Sequence, residues 1–219
     1  QVGSAKRNGL NARVLAQFAA VMTPASRPPA PELMEELAEL VTARESAVAE
    51  ETSLKNQRAA ANTAFLKRQL ARRMASLAKV IAALEREILA RIRDDAALER
   101  RYAILTSIPG IGFVAAVTLI AGMTELGTCN AKQVSMLAGL APIADESGER
   151  QGVRVVWGGR PRLRRALYLA GLSAARFNVD MTTFYRRLVA NGKAAKLADI
   201  AVARKLVILA NTLIAEDRT

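Results

Sequence analysis

The run Ser147-Gly148-Glu149-Arg150-Gln151-Gly152-Val153-Arg154, continuing through Gly158-Gly159-Arg160-Pro161-Arg162-Leu163-Arg164-Arg165, sets one hydroxyl among arginines on a glycine-rich stretch. Guanidinium groups suit bidentate contact with phosphates. A serine that attacks a phosphodiester needs such groups to hold the phosphate and spread the charge of the transition state. The chain has no His, so a Ser-His-Asp triad is impossible. Taken alone, Ser147-Gly148 reads first as turn chemistry. Further cations follow at Arg186, Arg187, Lys193, Lys196, Arg204 and Lys205. That density, with few acids between, favours a nucleic-acid-binding face over an ordinary solvated one.

A second feature is Ile108-Pro109-Gly110-Ile111-Gly112, between two apolar helical stretches. Gly110 and Gly112 in a tight interhelical turn would leave backbone N–H groups uncovered at a helix N-terminus. With the helix dipole they would make a phosphate cradle, the arrangement of a helix-hairpin-helix. The same five residues equally describe an αα-corner in which glycine serves close packing.

Composition bounds the alternatives. The 219 residues carry Lys+Arg 32 against Asp+Glu 20, a net charge of +12, so polyanions are the expected partners. Hydrophobic residues are 51% but aromatics only 4%; an Ala- and Leu-rich diet favours helix. The strongly apolar stretch from Ile111 to Ala121 is too short to span a bilayer, and the opening residues lack a signal core. The single Cys129 forms no intrachain disulfide and fits a reducing cytoplasm, where a nucleoid-associated protein is expected. Without His, a zinc site is effectively excluded, and any metal would be a hard cation on carboxylates.

These groups must be positioned by helices. Lys6 to Val21 reads as a short helix. Pro24, Pro28, Pro29 and Pro31 make a linker. Glu32, Glu35 and Glu36 suit the first turn of the next helix. No Pro or Gly follows until Glu99 is passed. Leu70, Met74, Leu77, Ile81, Leu84 and Ile88 recur at spacings of four and three, a coiled-coil seam. Leu33, Leu37, Leu40 and Val41 form an earlier stripe, so two long helices either pair antiparallel within the chain or dimerise. The texture changes near Glu99 to Arg101, where a domain boundary is expected. Val153 to Trp157 reads as a strand of a small hairpin with residues before Ser147. Pro161 starts a helix whose face is Leu163, Leu167, Ala170, Ala174 and Phe177. Asp180 is expected to cap a helix that Gly192 ends. The helix from Ala194, with Val202, Leu206, Leu209 and Leu213, is apolar enough to be central. The fold class expected is mostly α: a long helical hairpin or coiled coil, then a compact helical domain with a helix-hairpin-helix and one small β-hairpin.

Several motifs in series resemble the transposase domain of the insertion-sequence 110/1111 recombinases. They are Leu105-Thr-Ser-Ile-Pro-Gly-Ile-Gly-Phe-Val-Ala-Ala116, Leu137-Ala-Gly-Leu-Ala-Pro142, Ser147-Gly148, Gly158-Gly-Arg-Pro-Arg-Leu-Arg-Arg-Ala-Leu-Tyr168, Phe184-Tyr-Arg-Arg-Leu188, Gly192-Lys193 and Ala203-Arg-Lys-Leu206. The resemblance runs from about Leu105 to Asn211. It implies a domain that cuts and rejoins DNA through a serine, matched here by Ser147, after a coiled-coil dimerisation region. It also implies a structured guide RNA, a dimeric or tetrameric assembly, and a preceding RuvC-like domain that binds Mg²⁺ through an Asp-Glu-Asp-Asp set. On that basis residues 1–23 are the end of a RuvC-like domain, 24–31 a linker, 32–100 the coiled coil and 101–219 the transposase domain. The expected DNA contacts are Gly110, Gly112, Arg150, Arg154, Arg160, Arg162, Arg164, Arg165, Lys193, Lys196, Arg204 and Lys205.

Two departures from the family stand out. Only about thirty residues precede the coiled coil. The family's Lys-Thr-Asp-Arg-Ile-Asp-Ala is matched by Lys6-Arg7-Asn8-Gly9-Leu10-Asn11-Ala12. Asn8 and Asn11 are neutral and bind magnesium poorly; Asn8 serves more readily as a helix cap. The expectation is therefore a subunit that binds no Mg²⁺ and does not complete recombination alone, or a non-catalytic nucleic-acid-binding dimer.

Overall fold

The computed structural model describes residues 12–14, 16–18, 20–21, 31–143, 146–147, 150–151, 155–156 and 158–219. The chain divides into two units, Gln1–Pro31 and Glu32–Thr219. In the first, the described residues between 12 and 21 are helical, where a helix is expected. Asn8 and Asn11 lie outside the described residues.

The second unit is mostly α. Its helices are α1 (Glu32–Ala60), α2 (Ala64–Arg93), α3 (Ala96–Ser107), α4 (Phe113–Gly122), α5 (Ala131–Leu137), α6 (Pro161–Phe177), α7 (Val179–Ala190) and α8 (Ala195–Ala215). Four two-residue strands lie between α5 and α6: β1 (Pro142–Ile143), β2 (Glu146–Ser147), β3 (Arg150–Gln151) and β4 (Val155–Val156). β1 pairs antiparallel with β4, and β2 with β3. The expected strand thus meets residues before Ser147, with a second short ladder nested inside.

Helices α1 and α2 form an antiparallel hairpin within the chain. The break at Asn62 is set by Thr63, whose hydroxyl accepts from Leu66 N and caps α2. Ion pairs cross the hairpin from Arg44 to Glu85, Arg73 to Glu50 and Arg91 to Glu36. The two exposed pairs, Arg73–Glu50 and Arg91–Glu36, fix register more than they stabilise, while Arg44–Glu85 is partly buried. Near the turn, Leu54, Ala61 and Leu70 make a small core against Met74 and Leu77. At the open end Leu37, Val41, Ile88 and Ile92 enter the main core instead. No packing break therefore occurs at Glu99 to Arg101: Asp95 caps α3 through Ala97 N and Leu98 N, and the chain turns directly into the same unit.

The main core is centred on α8, which packs against α3, α5, α6 and α7. Its Val202, Ala203, Leu206, Val207 and Ala210 are fully enclosed, each large side chain contributing roughly 1.5–3 kcal/mol by leaving water. The expected central helix is found. On α6, Leu163, Leu167, Ala170 and Ala174 are buried as expected, whereas Phe177 is 76% exposed. It is the last residue of the helix and projects past the neighbouring core. The cap of α7 is Asn178, whose Oδ1 accepts from Met181 N at 3.2 Å, rather than Asp180. Asp180 lies in the first turn, where its charge still complements the dipole. Gly192 follows the end of α7 with φ of +80°, as a helix stop requires.

Candidate functional site

The start of α6 carries four arginines at the positive end of a helix dipole, an arrangement that demands anions. Arg160 takes one from the protein. Its Nη1 donates to Glu125 Oε2 at 2.9 Å and to Gly122 O at 2.7 Å, while Nη2 donates to Glu125 Oε1 at 2.7 Å. Hydrogen bonding to Glu125 raises the Arg160 pKa, with burial opposing. Arg162 takes a second, through Nε to Glu45 Oε2 at 3.1 Å and Nη1 to Thr42 Oγ1 at 2.6 Å, and so fastens α6 to α1. Both arginines act in this structure as struts.

Arg164 and Arg165 point elsewhere. Together with Lys196, Tyr168, Pro161, Leu140, Val156 and Ile200 they line a hollow of about 380 Å³ between α6, the start of α8 and β4. Among the described residues, three cations and no carboxylate line it. Arg164 Nη2 donates to Gly158 O at 2.9 Å, which holds its guanidinium at the rim and leaves other donors on the fork. Arg165 and Lys196 are exposed.

Ser147 pairs in register with Arg150 across β2–β3. It lies four residues beyond Ile143, whose strand pairs with β4 through Ile143–Val155 and Pro142–Val156. Four residues span at most ~14 Å. Ser147 is thus tethered within that distance of the ladder that supplies Val156 to the hollow. Arg154 lies outside the described residues.

The remaining expected contacts are dispersed. Gly110 and Gly112 sit between α3 and α4. Gly110 has φ of +111°, and a Cβ there would meet Ala174 Cβ at 2.6 Å, so this glycine serves the close approach of α6. Gly112 is the N-cap of α4, with no side-chain cap and nothing within 4 Å of an added Cβ. Of the two, only Gly112 offers an open helix end. The paired Gly158-Gly159 is also a packing device, since a Cβ on Gly159 would collide with the Gly139 backbone. Lys193 is exposed beyond α7; Arg204 Nε donates to Ser135 Oγ at 3.3 Å; Lys205 stands 4.7 Å above the Phe184 ring.

Sequence reasoning missed the partners of Arg160 and Arg162, because no local signal links residues 35 or 120 positions apart. It also missed α5, although Asn130 and Gln133 spell the capping box that starts it. Among the described residues, no group of three or more His, Cys, Asp or Glu could hold a metal. No helix among them is long and apolar enough to cross a membrane.

The architecture is that of a helical domain whose one small β-region borders a cationic hollow. Residues 102–186, from α3 into α7, match the transposase IS116/IS110/IS902 family. It is 32% identical over 145 residues to the uncharacterized 42 kDa protein of insertion element IS900 of Mycobacterium paratuberculosis, covering 60% of this chain and 35% of that protein. It is also 32% identical over 107 residues to the uncharacterized 43.6 kDa protein of insertion element IS110 of Streptomyces coelicolor, covering 48% and 26% respectively. The chain thus matches about a third or less of the length of these relatives.

Proposed function

We propose that this domain binds DNA backbone in the hollow of Arg164, Arg165 and Lys196 and exchanges strands through Ser147. The observation that carries the proposal is a lining whose described residues include three cations and no carboxylate, bordered by the ladder to which Ser147 is tethered. A phosphate there meets guanidinium donors and a partly apolar wall, which strengthens the attraction relative to open water. Ser147 Oγ forms a bond to phosphorus as a bond from phosphorus to a deoxyribose oxygen breaks. The serine proton leaves to solvent and the departing oxygen gains one. Attack by another strand's hydroxyl reverses the step and frees the serine, so no external energy source is consumed. Gly112 at the open start of α4 contacts a neighbouring phosphate in the manner of a helix-hairpin-helix. A guide RNA and an assembly of two or four chains, paired through the half-buried middle of the α1–α2 hairpin, belong to the same reading.

Magnesium does not fit the residues at hand. Asn8 and Asn11 stand where the family carries aspartates, and neutral amides are poor magnesium ligands. That substitution favours a second reading, in which the chain binds nucleic acid without cutting it. The experiment is a covalent-adduct assay with labelled branched DNA, run beside Ser147→Ala. An adduct absent in the variant supports strand exchange; no adduct with tight binding retained supports the second reading.

A further inference from the structure

A different hollow, of about 370 Å³, lies between α7 and α8. Met181 and Leu209 give it an apolar floor, Phe184 an aromatic wall, Arg187 and Lys205 its cations, and Asp180 one carboxylate. The Arg187 guanidinium carbon is 5.5 Å and the Lys205 Nζ 4.7 Å from the Phe184 ring centre. It is separate from the Arg165 hollow. Lys196 and Ile200 line that one, Lys205 and Leu209 this one. Nine residues at ~100° each place the two pairs on opposite sides of α8.

We infer that this second hollow holds one unpaired nucleotide of a single strand. Its volume falls in the ~300–1,000 Å³ range of small-ligand sites. A half-buried aromatic ring with two flexible cations over it suits a single strand. The base displaces a cation from the ring face and stacks there, and the displaced cation meets the backbone phosphate. A purely electrostatic face would need neither the ring nor the apolar floor. Asp180 adds selectivity. A carboxylate accepts from N–H groups, and guanine presents two side by side on its pairing edge, whereas thymine presents one between two acceptors. The site therefore prefers guanine to thymine. This inference rests on the domain handling nucleic acid, but on other residues than the Ser147 reading uses.

Fluorescence anisotropy with labelled eight-nucleotide single strands tests it, in DNA and RNA versions, beside an abasic strand and a duplex. Phe184→Leu should weaken binding of the base-bearing strands about tenfold. Abasic and duplex affinities should stay within twofold, and Phe184→Trp should restore the loss. Asp180→Ala should remove a guanine-over-thymine preference of at least about fivefold. Equal wild-type affinity for abasic and base-bearing strands would overturn the inference. So would a Phe184→Leu loss shared by the duplex, which would mark Phe184 as structural. Arg165→Glu separates the two readings: it should weaken the duplex and spare the difference between abasic and guanine strands. A duplex affinity unmoved by Arg165→Glu, with the strand results intact, would sink the first reading alone.

Discussion

Arg160 grips Glu125 with both arms of its guanidinium, Nη1 2.9 Å from Oε2 and Nη2 2.7 Å from Oε1. Glu125 lies on the loop after α4, and that loop is itself moored to α8. Asn211 Oδ1 accepts from Gly127 N at 2.9 Å and Asn211 Nδ2 donates to Cys129 O at 2.7 Å. The start of α6, and with it the Arg164–Arg165 pair, is thereby aligned with the central helix. Arg160→Lys keeps the charge and loses the fork. It should destabilise the domain by roughly 1–2 kcal/mol, read as a lower urea midpoint. An unchanged midpoint would mean the pair positions nothing.

The two glycines of the α3–α4 turn should separate cleanly. Gly110→Ala faces both a positive φ and the backbone of Ala174, and should cost roughly 2–4 kcal/mol. Gly112→Ala has open space and an ordinary φ. It should leave the melting temperature nearly unchanged and lower duplex affinity a few-fold. Intact affinity would reduce this turn to a packing corner.

Arg165 is the cleanest probe of the cationic hollow, since Arg164 also holds Gly158 O. Arg165→Ala should weaken duplex binding and reduce the slope of log affinity against log salt by about one. Circular dichroism should report an unchanged fold. A normal slope would remove Arg165 from the phosphate contacts.

Burial raises the Asp199 carboxyl above its ordinary range, with Arg176 opposing. A raised native value means the folded state disfavours the charged form. The stability Asp199 contributes is therefore fully present below its unfolded value and is lost as pH rises through the native one. Asp199→Asn should raise the melting temperature at pH 7, and the gain should shrink on acidification through the carboxylate range. A gain independent of pH would point to another cause.

Much of the scaffold is legible in the sequence because its signals are local. Pro161 opens α6, Gly192 closes α7, and the Leu70 to Ile88 spacing marks a pairing helix; each depends on near neighbours. What the seam pairs with is not local. In the structure α1 covers part of it, leaving Met74, Leu77, Ile81 and Leu84 half-buried. The site is legible in kind but not in detail. The arginine cluster announces phosphate binding, yet sequence alone gives Arg160 and Arg162 the same standing as Arg165. Only Glu125 and Glu45, brought in by tertiary folding, divide struts from free cations.

The half-buried seam makes its own prediction. Leu77→Asp should abolish self-association through the hairpin, seen as a monomer mass in sedimentation. An unaltered mass would refute pairing between chains along this surface.

The most direct test of the central claim is a tethered cross-link in a Cys129→Ser background. Ser147→Cys is mixed with DNA carrying thiol-tethered phosphates and resolved without reductant. The account predicts a disulfide adduct that Arg165→Glu abolishes. Strong DNA binding without any adduct would contradict it, placing Ser147 away from the phosphate it is proposed to attack.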